Sequence, residues 1–301
     1  MSRMKHLKSF VLPIAIVLGL FFNKYISVLN PTLPFLIFLM LYFSFNALDV
    51  KTIRLTRFDV WLLLFQVVVS LAAFLMIRPF DEIVAQGAFV TVLAPTASAA
   101  VSVALILGAN ISMVTTYLIA CNMMVSIVAP IAFSVFGVDT DMTFWESFFT
   151  IFMKVFPVLI APFVLALLTQ RFLPKVSSTI NRHKGMSFYI WAIALTIVLS
   201  KSIGLLMAQF NEHRVMFLCM VLVSAFLCFL QFHFGHIIGK RYGDRIAGGQ
   251  ALGQKNTVLA IWMAQSYLNP LSSIVPTIYI LWHNLYNSYQ MMLKDRRIAK
   301  K

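Results

Sequence analysis

The chain has 301 residues, of which 60% are hydrophobic and only 11% carry a charged side chain. A soluble domain has about a quarter of its residues charged, so this chain lacks the polar surface needed to cover a water-soluble globule. A net charge of +14 would suit nucleic acid on a soluble chain, but no basic stretch with interleaved aromatics accompanies it, and no nucleic-acid partner is expected.

Apolar runs of about 20 residues recur along the chain, each long enough to cross a hydrocarbon core of roughly 30 Å. They are continuous rather than alternating, so they read as helices and not as barrel strands. In chain order they predict spans at about 9–29, 32–48, 59–77, 83–107, 111–136, 147–170, 186–209, 214–238, 246–268 and 272–293. The first run has no small-residue cleavage site near its end and reads as a retained span, not a signal peptide. The connections are short, so residues 1–301 form one polytopic domain. Cys121, Cys219 and Cys228 fall inside apolar runs and read as small core residues. No cofactor and no metal site is expected.

Charge sets the orientation. With the N-terminus inside, Arg3, Lys5, Lys8, Lys51, Arg54, Arg57, Arg171, Lys175, Arg182, Lys184, Lys240, Arg241, Arg245, Lys294, Arg296, Arg297, Lys300 and Lys301 fall on the cytoplasmic side. The opposite side receives Lys24, Arg78 and Arg214 with Asp81, Glu82, Asp139, Asp141, Glu146 and Glu212. By the positive-inside rule this places both termini in the cytoplasm and requires an even number of spans. Ten spans divide into two five-helix halves of inverted topology, about 1–140 and 141–301. Inverted repeats are a common way to build secondary transporters, with the substrate near the midplane.

The fourth and ninth spans, which occupy corresponding positions in the two halves, carry helix-interrupting sequence. In the fourth, Pro95 is followed by Thr96, Ala97, Ser98, Ala99 and Ala100; proline removes a helix hydrogen bond and clashes with the preceding turn. In the ninth, Gly248, Gly249 and Gly253 accompany Gln250, Gln254, Lys255, Asn256 and Thr257. Such polarity is costly in lipid and has to face protein or water. Helix halves that end in mid-membrane present dipole ends that bind ions.

At these two segments the chain resembles the bile acid:sodium symporter family. The resemblance rests on Pro95 with its small residues, on Gly108, Ala109 and Asn110 further on, and on Gly253, Gln254, Lys255 and Asn256. Gln66 in the third span is similar to a glutamine that the family uses in ion binding. The resemblance implies a core of about 59–136 and 214–293, in which spans four and nine unwind and cross. It also implies a panel of about 9–48 and 147–209, with substrate held between core and panel and moved by alternating access. A bacterial inner membrane is the location it implies.

The chain departs from the family at its sodium ligands. Ala251 stands where sodium-using members have an acid, Lys255 where they have a glutamine, and Ala100 and Val101 where a serine–asparagine pair completes a sodium site. Alanine and valine side chains supply no oxygen, so the usual two-sodium coupling is expected to be lost. Lys255 is the expected substitute, as a fixed internal cation or as a group that couples transport to protons; snorkelling to the surface is its structural alternative.

Further candidates are His283 and Asn284 in the tenth span, beside Asn287 and Ser288, where polar residues at this density are expected to face the core. Thr115, Thr116 and Asn122 lie in the fifth span, and Lys154 and Lys201 in the sixth and seventh. His233 and His236, three apart, share a helix face but make a weak metal site without a carboxylate or thiolate. The expected function is transport of a small or amphipathic organic anion, bile-acid-like or a compact carboxylate. Its rivals are an integral-membrane enzyme, a non-transporting sensor with the same fold, and an arsenite exporter. The enzyme would need clustered carboxylates or histidines, and all ten acidic residues sit in loops or at span ends. The exporter would need a thiol near the fourth-span crossing and an acid in the ninth, whereas this chain has Ala97, Ser98, Ala99 and Ala100 in the one and Ala251 in the other. No phosphate-binding loop of the ATPase type is present.

Overall fold

The computed structural model describes residues 2–48, 53–136, 142–183 and 185–298, with side chains for those between 12 and 296. Lys51, Asp139, Asp141, Lys184, Lys300 and Lys301 lie outside the described residues, as do the side chains of Arg3, Lys5, Lys8 and Arg297. In chain order the helices are α1 (Ser2–Ile26), α2 (Leu33–Asn46), α3 (Arg57–Ile77), α4 (Glu82–Leu93), α5 (Ala99–Leu107), α6 (Ile111–Phe136), α7 (Phe144–Phe172), α8 (Pro174–Arg182), α9 (Met186–Gln209), α10 (Arg214–Arg241), α11 (Arg245–Gly253), α12 (Thr257–Tyr267) and α13 (Ile274–Ile298). Short 3-10 turns occupy Ser27–Thr32 and Pro270–Ser273. The protein is a multi-pass, all-helical membrane protein. Among the described residues, six helical stretches are long and apolar enough to cross a bilayer: Leu12–Asn46, Arg57–Ile77, Ile111–Phe136, Phe144–Phe172, Met186–Gln209 and Arg214–Arg241.

The difference between six and the ten expected from hydropathy has physical causes. The first two expected spans merge through the turn at Ser27–Thr32. The fourth and ninth are each broken into halves of 12 and 9 residues and of 9 and 11 residues. At 1.5 Å per residue no half exceeds about 18 Å, which is too short to span. The tenth, α13, is 25 residues long but carries His283, Asn284, Asn287 and Ser288 in its middle.

The chain divides into two compact units interleaved in sequence, Met1–Leu48 with Met153–Arg214 and Asp49–Phe152 with Val215–Lys301. In the first, α1 approaches α9 closely at Gly19, where a side chain would meet Ile203 at 2.6 Å. Carbonyls at the end of α2 converge on one side chain: Gln170 Nε2 donates to the carbonyl oxygens of Phe45, Asn46 and Leu48 at 3.3, 3.1 and 3.1 Å. Lys201 is half-buried on α9 and Lys154 is exposed on α7.

The second unit holds the broken helices. Each begins at an aspartate that caps its first turn: Asp81 accepts from Val84 N at 2.9 Å, and Asp244 from Ala247 N at 2.9 Å. A carboxylate there satisfies an orphan donor and meets the positive end of the helix dipole. Asp244 also accepts from Asn110 N at the start of α6. Gly108, left-handed at φ 82°, ends α5, and the Lys294 ammonium donates to Ile106 O at 2.6 Å. Phe74 stacks on Phe136 with ring centroids 4.0 Å apart, and Phe89 meets Phe136 edge-on.

Glycine has a different use here from the one its position suggested. Gly248 and Gly249 lie inside α11, not at its break. A Cβ on Gly248 would sit 2.1 Å from the Gly235 carbonyl oxygen and 2.7 Å from Gly239 Cα. These small residues allow α10 and α11 to touch backbone to backbone, the usual role of spaced glycines between membrane helices.

Candidate functional site

The two breaks meet. The interruption of α4–α5 at residues 94–98 and that of α11–α12 at residues 254–256 pair as a short antiparallel bridge, Thr96 opposite Lys255. Ala97 N donates to Gln254 O at 2.9 Å, and Asn256 N donates to Pro95 O at 2.8 Å. Backbone groups freed inside a membrane have to be satisfied within the protein. Here each break satisfies one donor and one acceptor of the other, side chains take further groups, and both are fully or largely buried.

The carbonyls that close the first half of each broken helix are capped by neutral donors. Gln66, fully buried on α3, donates to Leu93 O and to Ala94 O, the latter at 3.1 Å. The Tyr117 hydroxyl of α6 donates in turn to Gln66 Oε1. Across the bridge, Thr96 Oγ1 donates to Ala251 O at 2.6 Å, and the Tyr279 hydroxyl of α13 donates to Gly253 O at 2.8 Å. Gln231 Nε2 of α10 donates to that hydroxyl at 3.1 Å. The Asn256 side chain caps α12 by accepting from Leu259 N at 3.3 Å.

Lys255 is not satisfied in this way. It is 1% exposed, and its Nζ has no hydrogen-bond partner among the described residues. Its burial rules out the snorkelling arrangement. The side chain lies near the Cys121 thiol, which stands at the fourth-helix break, where Thr96 N donates to Sγ at 3.2 Å and Sγ is 3.4 Å from Thr96 Oγ1. An unpartnered buried polar group costs about 1–3 kcal/mol, and more if charged. For Lys255 that cost falls at the crossing of the two breaks, and among the buried atoms of the described residues left without a partner Nζ is the one on a basic side chain that ordinarily carries charge.

A chain of amides leads away from the crossing. Asn287 Nδ2 donates to Gln254 Oε1. Gln250 Nε2 donates to Asn287 Oδ1 at 2.9 Å and to Gln290 Oε1 at 2.8 Å. Gln290 Nε2 lies 3.1 Å from His236 Nε2, and His236 Nδ1 lies 3.4 Å from the Tyr286 hydroxyl. Gln250 Oε1 remains without a partner among the described residues.

The expected residues therefore divide. Gln66, Pro95, Thr96, Gln254, Lys255 and Asn256 come together at the crossing; Thr257 is buried there as the first residue of α12, with its N–H on Lys255 O at 3.0 Å. Ser98 precedes α5, half-buried and without a capping side-chain bond. Asn110 stands at the opposite end of α5, exposed, with its Oδ1 3.3 Å from Met113 N. His283 is buried one turn from Tyr279, edge-on to its ring at 5.5 Å. Asn284 and Ser288 are exposed and bond carbonyls of their own helix, Ile280 O at 2.7 Å and Asn284 O at 2.9 Å. His233 and His236 point to different surroundings: His233 is exposed against Phe229, whereas His236 is buried in the amide chain. No group of three His, Cys, Asp or Glu side chains capable of holding a metal occurs among the described residues.

Sequence reasoning missed Tyr117, Cys121, Gln231, Tyr279 and the membership of His236. A polar tip on an aromatic ring inside a span was the available signal for the tyrosines. Cys121 had none, since its neighbour Thr96 lies 25 positions away in the chain. Compared with known proteins, the chain matches no family model, and no curated protein is significantly similar to it.

Proposed function

We propose that the protein is a secondary transporter of a small or amphipathic organic anion, working by alternating access in a ten-span fold of two inverted five-helix repeats. Lys255 is its coupling residue in place of sodium ligands. The observation that carries this reading is the pairing of two broken helices around one buried, unpartnered ammonium group. Interrupted helices that cross at mid-depth are how secondary transporters build ion and substrate sites. A buried ionisable group in a membrane protein marks a pathway or a relay. The shared plan of the two broken helices, each opening on a capping aspartate and breaking before a second half, fits a repeat.

Two further features support coupling without sodium. Sodium binds through several oxygens, and the carbonyls at the ends of α4 and α11 already accept from Gln66, Thr96 and Tyr279. Ala251, Ala100 and Val101 offer no side-chain oxygen. Of the two roles for Lys255, proton exchange fits better than a fixed cation, because a fixed cation would take those carbonyls as partners and Nζ takes none. The location that goes with this reading is a bacterial inner membrane, with both termini in the cytoplasm.

Cys121 favours a second reading, export of a thiol-binding metalloid oxyanion such as arsenite, because its thiol reaches the fourth-helix break from α6. Ala251 in place of an acid counts against it.

The deciding experiment is uptake of a panel of organic anions, and of arsenite, into vesicles containing the purified protein, in sodium or potassium and with or without a pH gradient. Saturable uptake of an organic anion, equal in both salts and driven by the pH gradient, is the expected result. A requirement for sodium would overturn the coupling assignment. Uptake of arsenite alone, lost in Cys121→Ser, would replace the substrate. No saturable flux of any of them would favour the sensor.

A further inference from the structure

The first unit carries a basic feature separate from the crossing that makes no ion pair among the described residues. Between α7 and α9 the chain makes the nine-residue helix α8, with Lys175 and Arg182 exposed along it and Arg171 exposed just before it. Lys175 and Arg182 are seven residues apart, two turns, so they lie on one edge of the helix. The opposite attachment is fixed: Ser177 is buried, and Asn46 Nδ2 donates to Ser177 O and to Asn181 Oδ1, both at 3.3 Å. A third edge is apolar and uncovered. Val176 is 46% exposed with Ile180 one turn on, and Leu173 and Phe172 beside it are 55% and 71% exposed.

Among the described residues no carboxylate of the unit lies near these charges. The sequence has no acidic residue between Glu146 and Glu212, nor any before Asp49. Glu212, the one acid of the unit, follows the far end of α9. That is 24 residues from α8's end of the helix, or about 36 Å at 1.5 Å per residue. Among the described residues none of Arg171, Lys175 and Arg182 makes an ion pair.

We propose that α8 is an interfacial helix that binds the headgroup of an anionic glycerophospholipid. Lys175 and Arg182, with Arg171 at the end of α7, hold its phosphate, and Val176, Leu173 and Phe172 lie at the acyl boundary. Three edges of one short helix match three surroundings: protein at Ser177 and Asn181, headgroups at Lys175 and Arg182, and hydrocarbon at Val176. This is the arrangement of an amphipathic helix lying in a membrane interface. A basic edge at that depth is drawn to anionic lipid by about 1 kcal/mol per side chain, or roughly fivefold in affinity.

The test is thermal unfolding of the full chain in detergent, titrated with phosphatidylglycerol or with phosphatidylcholine of the same acyl chains. A lipid bound by the folded state raises the unfolding temperature with concentration. Phosphatidylglycerol is expected to stabilise and phosphatidylcholine not. The double variant Lys175→Gln/Arg182→Gln is expected to need about 25-fold more phosphatidylglycerol for the same rise, while unfolding as the parent does without lipid. Lys240→Gln/Arg241→Gln, which removes the same charge from the exposed end of α10, is expected to behave like the parent. Equal stabilisation by both lipids, or an unshifted titration in the α8 variant, or an equal loss in the α10 variant, would each overturn the site.

Discussion

Replacing Lys255 by methionine separates what the residue does for the fold from what it does for transport. The side chain is 1% exposed and its Nζ has no partner among the described residues, so the native state carries the desolvation of a polar group without a compensating bond. That cost is about 1–3 kcal/mol for a neutral group and several kcal/mol for an ion. Methionine has nearly the same length and volume, so the swap leaves little cavity and little strain. Lys255→Met is therefore expected to be more stable than the parent by at least about 1–3 kcal/mol, seen as a rise of a few degrees in unfolding temperature. The same variant is expected to lose pH-driven uptake in vesicles. Such opposite movement marks a group kept for function at the expense of stability. A variant that unfolds at a lower temperature would show that Nζ has partners in the folded protein, and the unpaired-ammonium argument would fail. A more stable variant with unchanged uptake would remove Lys255 from the coupling mechanism.

Other perturbations reach the surroundings of that residue. Tyr279→Phe strips the donor from Gly253 O and leaves Gln231 Nε2 without its acceptor; a loss of about 1–3 kcal/mol per orphaned group is expected from thermal or denaturant unfolding. Gly248→Ala places a methyl 2.1 Å from the Gly235 carbonyl oxygen. This forces α10 and α11 apart and is expected to cost about 1–3 kcal/mol or more, whereas alanine at Gly185, with nothing within 4 Å, should be tolerated in the same assay. Asp244→Ala removes the acceptor shared by Ala247 N and Asn110 N. A loss of about 1–2 kcal/mol, accompanied by faster amide exchange at the start of both α6 and α11, checks that one carboxylate serves two helices.

Long apolar helices were legible because hydropathy reports their ends directly: the expected limits 111–136 and 186–209 coincide with α6 and α9. The break in the fourth span followed from Pro95, a local effect of a missing N–H. The ninth was harder. Three glycines suggested disruption at 248–253, yet α11 continues through them because a membrane helix uses glycine to approach a neighbour, and the identity of that neighbour is not written locally. Polar residues in α13 showed a similar limit. Asn287 turns inward to Gln254, while Asn284 and Ser288 satisfy themselves on their own carbonyls, and the same polarity in the sequence serves both outcomes. Lys255 stood out from the sequence because charge within a span is rare. Its surroundings did not, since Gln66, Cys121 and Tyr279 arrive from three separate helices.

The bridge between Thr96 and Lys255 also bears on how the chain can be made. Its two sides lie more than half the chain apart, and synthesis proceeds from the N-terminus at about 5–20 residues per second. α4 and α5 are thus delivered to the bilayer several seconds before α11 and α12 exist. During that interval the freed backbone around Pro95 has no strand to pair with, in a solvent that offers it no hydrogen bonds. The first half of the protein is a poor candidate for stable insertion by itself, because the partner of its break, residues 254–256, is among the last parts of the chain to arrive.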